Sequence, residues 1–204
     1  MKGLLLKDFY LVRATLAIIL VTYAVIGIGM SIMSDPWITV VIGAVMFGIM
    51  SASTITLDKN YGWDKLSATL PLKKETAVDS KYLLYLFFSV LGFVLGMALS
   101  FIICAVKPDL MPADETVRLY LSIAAAMALF AGGVQIPGNF LLSAEKAMIT
   151  LIIAYPLLTG VFVVVARLTE DMMRTCSIVL ALSAAVFAIS WIVCRKAIAA
   201  RDVR

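Results

Sequence analysis

The chain contains no histidine among its 204 residues, only three cysteines and an unusually thin supply of charge, with 15% of residues charged against 63% hydrophobic. The missing histidine removes the commonest zinc ligand, the base of Ser/His and Cys/His nucleophile pairs, and the commonest proton shuttle. Cys104, Cys176 and Cys194 follow no CxxC spacing, so they read as small apolar residues rather than a metal or redox set. No glycine is followed by lysine, which excludes a P-loop, and no GxGxxG is present. The apolar runs hold no pair of acids for a metal or for general acid and base work. Composition therefore excludes a self-contained enzyme or nucleotide-driven motor and assigns neither a catalytic nor a metal-binding residue. Proton-coupled transport is disfavoured too, because no run carries an ionisable residue away from its margins.

What is abundant is uninterrupted apolar sequence. Six runs, at 14–33, 37–57, 82–106, 119–142, 148–166 and 175–194, are each about long enough to cross a bilayer core as a helix. Strands would instead alternate over about ten residues. The expected fold is all-α: one polytopic domain over 1–204 with six transmembrane helices. The first run is too long for a signal-peptide core, and Ser34-Asp35-Pro36 is a poor cleavage site.

Basic residues set the orientation. Thirteen of the 17 Lys and Arg lie on the side holding the N-terminus, the second loop, the fourth loop and the tail; only Lys107, Arg118, Arg167 and Arg174 lie opposite. Because basic residues near helix ends stay in the cytoplasm, both termini are expected inside. The basic balance reflects this asymmetry. No Arg/Lys stripe with interleaved aromatics points to nucleic acid.

Within the helices, Gly92, Gly96 and Ser100 recur at four-residue spacing and predict close packing of the third helix, more within the chain than in a dimer seam. Ala181, Ala184, Ala185 and Ala188 repeat the pattern less distinctly in the sixth. In the fourth, Gly132, Gly133, Pro137 and Gly138 predict a kink or break. Gln135 and Asn139 are the only amides in any run, and either line a pathway or hinge or make an interhelical hydrogen bond. At the amino end Leu5, Phe9 and Val12 share one face and Lys7 with Asp8 the other, which suits an interfacial helix or a plain extension of the first span.

The stretch 58–81 gathers nine of the thirty charges. Inside it Trp63, Leu66 and Leu70 fall within about a 60° arc of a helix, with Asp64 and Lys65 opposite, Gly62 before it and Pro71 after it. A two-turn amphipathic helix cannot stand alone in water, so its apolar face must rest on the bilayer, on the bundle or on a cytosolic partner. The spacing leaves all three open.

The segments MKGLLLKDFYLVR, LDKNYGWDKLSATLPLKKETAVDSKYLL and QIPGNFLLSAEKAMI resemble the ABC-2 type transporter permeases of Firmicutes and related bacteria. Within that group the chain is similar to the small permeases of phenol-soluble modulin exporters and of antimicrobial-peptide self-protection systems. The resemblance implies a permease subunit of an ATP-binding cassette exporter for amphipathic peptides or other lipophilic compounds. It implies two permease subunits, identical or paralogous, and a separate cytosolic ATP-binding subunit holding ATP and Mg. This chain would carry no cofactor and no enzyme activity. The helix from Trp63 to Leu70 would be the coupling helix, and the turn with Glu145 and Lys146 a lesser contact. The fourth-helix segment departs from any strong motif, and no substrate residue carries over to it. A membrane scaffold or accessory subunit, and a secondary transporter, are the alternative functions.

Overall fold

The computed structural model describes residues 2–63, 66, 74–169 and 171–200. They form α1 (Lys2–Met33), α2 (Ile38–Asn60), α3 (Lys74–Val106), a 3-10 turn (Pro108–Leu110), α4 (Asp114–Leu141), α5 (Ala144–Thr169) and α6 (Met172–Ala199). All six α-helices contain a stretch long and apolar enough to cross a membrane. Helix is the outcome that lipid demands of such sequence, since it satisfies every backbone group within the segment. Among the described residues there is no strand.

Local chemistry places the breaks. Between α1 and α2 the Asp35 carboxylate accepts from the Trp37 amide at 3.0 Å, and Asp171 caps α6 by accepting from the Met173 amide at 3.0 Å. Asp114 and Glu115 lie in the first turn of α4, where acids suit the positive end of the helix dipole. Helix α2 ends at Asn60 with Tyr61 as its C-cap, and Gly62 follows at φ 69°, the left-handed conformation that glycine adopts most readily after a helix.

Helix α2 is the centre: 61% of its span is buried, against 17% for α1 and 11% for α5. Its seam with α3 is made by the small residues expected of it. Gly43 and Gly92 meet backbone to backbone, and a Cβ on Gly96 would sit 2.5 Å from the Val40 Cα. The Thr39 and Ser100 hydroxyls are 2.7 Å apart and fully buried, closing the same seam with a hydrogen bond. The four-residue repeat in α3 is thus an intramolecular packing face. On α4, Cβ atoms at Gly132 and Gly133 would lie 2.8 Å from Tyr85 Cζ and 3.2 Å from the Phe187 backbone. Tyr85 is thereby brought close enough for its hydroxyl to donate to the Ala128 carbonyl at 2.7 Å.

Four expectations need correction. Helix α4 runs unbroken through Pro137 to Leu141, which overturns the break as one outcome of the expected kink or break, and the glycines around it serve close approach. The alanines at 181, 184, 185 and 188 are exposed; α6 packs inward through Val179, Ser183 and Cys194. Helix α1 is continuous from Lys2, and Leu4, Asp8 and Val12 form its buried face while Phe9 points outward. The amino end is therefore an extension of the first span, and the anticipated polar face is partly the inner one. The polar loop is shorter than 58–81, because α2 reaches Asn60 and α3 begins at Lys74. With 33 residues, α3 is about 50 Å long at 1.5 Å per residue, well beyond a bilayer core of about 30 Å, so it has a full charged turn to spare at that end. The three cysteines are all buried and unpaired, as small apolar residues would be.

Candidate functional site

Most of the charged residues near these helix ends are structural. Lys7 and Asp8 on α1, Asp58 on α2 and Lys81 on α3 form a closed ring of alternating sign. Its edges are Lys7–Asp8 at 3.1 Å, Asp8–Lys81 at 2.8 Å, Lys81–Asp58 at 2.6 Å and Asp58–Lys7 at 2.6 Å. Asp8, Asp58 and Lys81 are at most 8% exposed, and only Lys7, at 25%, keeps appreciable contact with solvent. Lys81 also donates to Thr54 Oγ1 at 3.1 Å. Two cations and two anions leave the ring neutral, the condition under which charges tolerate burial. Sequence reasoning found no buried ionisable group because it searched the apolar runs, whereas this ring lies where long helices overrun them.

Other ties hold the same end together. Arg195 on α6 donates through Nε and Nη2 to Glu75 at 3.2 and 2.7 Å, and Trp191 donates to Asp79 at 2.8 Å, fixing the last turns of α6 to the first turns of α3. Lys59 donates to the carbonyls of Phe140 and Leu142 at 3.1 and 2.7 Å, capping α4 where its last carbonyls lack helical partners. Five of the nine charges in 58–81, at Asp58, Lys59, Glu75, Asp79 and Lys81, are thus spent on holding helix ends together.

From this fixed end the loop emerges. Trp63 and Leu66 are helical, and the Leu66 amide donates to the Gly62 carbonyl at 3.3 Å, so a helical turn opens where the apolar pattern begins. The Lys7 ammonium lies 4.2 Å from the Trp63 ring centroid, a cation–π contact that joins the loop to the ring of charges. Leu66 is 54% exposed. Asp64, Lys65 and Leu70 lie outside the described residues, as does Pro71. The second expected contact is the α4–α5 turn that Lys59 fastens; Lys146 is exposed there, and the Glu145 side chain is outside the described set.

The fourth-helix amides are buried and bonded across helices. Asn139 donates to the Ala52 carbonyl of α2 at 2.9 Å, and Gln135 donates to the Tyr155 hydroxyl of α5 at 3.4 Å. Gln135 Oε1 has no hydrogen-bond partner among the described residues. Pro137 sits between them on the same helix. Among the described residues no cluster of acids, cysteines or histidines is arranged to hold a metal.

Six membrane-length helices, a small-residue seam at their centre, and ionic groups gathered at the helix ends define a polytopic membrane protein with one end braced by buried charge contacts. Residues 3–199 match the family described as ABC-2 family transporter protein, and the chain belongs to that family. No curated protein and no solved structure matches it.

Proposed function

We propose that the chain is the permease subunit of an ATP-driven exporter and that its braced end is the docking face for a separate ATP-binding subunit. The family match over 3–199 carries this reading, together with the absence of a P-loop from the sequence, which leaves the energy to be supplied from outside. ATP and Mg would be held by the partner. The excess of basic residues on this side supports placing it, with both termini, in the cytoplasm of a bacterial cell. Trp63 and Leu66 would start the coupling helix and carry it on through Leu70, with Asp64 and Lys65 on the opposite face, while Glu145 and Lys146 give a secondary contact. The large outward surfaces of α1 and α5 suit a second permease subunit. The resemblance to phenol-soluble modulin and antimicrobial-peptide exporters supports amphipathic peptides or other lipophilic compounds as substrate.

The test is biochemical. Purified alone, the chain is expected neither to bind nor to hydrolyse ATP. Co-purified with its ATP-binding subunit, the complex should hydrolyse ATP and lose that activity when the partner's P-loop lysine is replaced. ATP turnover by the pure isolated chain, or failure of any ATP-binding subunit to co-purify, overturns the reading.

A further inference from the structure

A ring of four charges, three of them buried, is a poor device for stability alone, since apolar side chains of similar volume would hold three helices at least as well. What a ring supplies is register. An apolar seam can slip by a helical turn and find new partners, but Lys7, Asp8, Asp58 and Lys81 close their four edges, from 2.6 to 3.1 Å, in one arrangement of α1, α2 and α3. The ring also has a direction. It grips both stems of the 61–73 loop, through Asp58 on α2 and Lys81 on α3, and its least buried member, Lys7, reaches the loop's own Trp63 at 4.2 Å.

We propose that Lys7, Asp8, Asp58 and Lys81 are positioning residues that bind the 61–73 loop to the amino-terminal turns of α1, so that a push on Trp63 moves α1, α2 and α3 as one body. The inference rests on the coupling reading given above. Without the ring, the same push is absorbed where the loop meets α1, and the first span stays behind. Lys7 is the transmitting member because its ammonium serves the carboxylates and the indole face together, an arrangement that arginine also meets and methionine does not.

The experiment uses the permease with its ATP-binding subunit in nanodiscs, in a background whose three cysteines are replaced by alanine. Spin labels are attached at Tyr10→Cys and Tyr61→Cys, positions 60% and 75% exposed that take no part in the ring. The label distance is measured without nucleotide and with ATP plus vanadate, for the parent, Lys7→Met, Lys7→Arg and Asp58→Asn/Lys81→Met. The double variant keeps the site neutral and guards against simple misfolding. Hydrogen exchange of 61–66 with and without the ATP-binding subunit reports docking independently. The expected result is one unchanged distance for the parent and Lys7→Arg, and a second, longer population on nucleotide addition for Lys7→Met and the double variant. Distances in these two that match the parent's, with 61–66 still protected, overturn the positioning role and leave the coupling reading standing. No protection of 61–66 in the parent overturns both.

Discussion

Replacing Asp58 with Asn keeps the shape of the side chain and removes one charge, leaving Lys7 and Lys81 against Asp8 alone. Asp58 accepts from both lysines at 2.6 Å and is 8% exposed, so the surplus positive charge stays largely out of water. Breaking a buried ion pair by removing one partner costs about 3–5 kcal/mol, much of it the penalty of the stranded charge. For a chain of this size each kcal/mol lowers the melting temperature by roughly 2–4 °C, so the expected fall is roughly 6–20 °C. Adding Lys81→Met takes away the stranded charge, and the pair Lys7–Asp8 at 3.1 Å remains. The double variant should therefore melt closer to the parent than Asp58→Asn does. The three buried cysteines provide the assay, because a thiol-reactive fluorogenic dye gains access to Cys104, Cys176 and Cys194 only as the bundle opens. Arg174→Met is the internal control. Its partner Asp171 is 3.3 Å away, both side chains are about half or more exposed, and such pairs contribute only about 0.2–1 kcal/mol. A melting temperature for Asp58→Asn within about 2 °C of the parent, no larger than the control's shift, refutes the reasoning, as does a double variant that falls by the sum of its single effects.

Gly96→Val should destabilise by about 1–3 kcal/mol through overpacking against Val40, whereas Gly160→Ala, where a Cβ meets nothing within 4 Å, should be neutral or stabilising; the dye assay compares them. Trp63→Ala should weaken retention of the ATP-binding subunit on the order of 30-fold, given about 2 kcal/mol for an aromatic anchor, with Asp64→Ala much less affected in the same pull-down. Cysteines placed at Asp35, Asp114 and Asp171 should react with an impermeant thiol reagent in intact cells and one at Lys73 should not; labelling at Lys73 reverses the orientation. Asn139→Leu removes the bond to Ala52 and strands a large apolar group at a fitted site, so it should lower thermal stability before it alters transport, and normal melting with lost transport would assign Asn139 to the pathway.

The six helices were legible because lipid leaves one solution for a run of about twenty apolar residues, and hydropathy reports it directly. The packing face of α3 was legible for a related reason, though its partner α2 was not: glycine at four-residue spacing has one dominant use between helices in lipid. The alanines of α6 show the limit of that rule, since alanine is also simply a good helix former and an alanine stripe can face outward at no cost. Pro137 misled for a local reason. It forgoes one bond, to the Gly133 carbonyl, and the loss of a single bond does not require the helix to end, so α4 continues to Leu141.

The charged end was the part that sequence order concealed. Asp8 and Lys81 are 73 residues apart, and Lys59 lies 83 from the carbonyl it caps, so no window of sequence brings these partners together. Each taken alone reads as a residue near a helix margin, which ordinarily means solvent. Helices α1 and α3, with 32 and 33 residues, overrun a bilayer core of about 30 Å by several turns, and those turns must pack on their neighbours once outside lipid. There apolar side chains would leave a featureless seam, while charges fix which helices meet and in what register. The polarity of 58–81 therefore has two parts. Asp58, Lys59, Glu75, Asp79 and Lys81 build a rigid mount, and the short turn opening at Trp63 is what the mount holds out. A loop that only joined two helices would need no such bracing; under the coupling role proposed for it, a lever that receives force from another protein works only if its base does not yield.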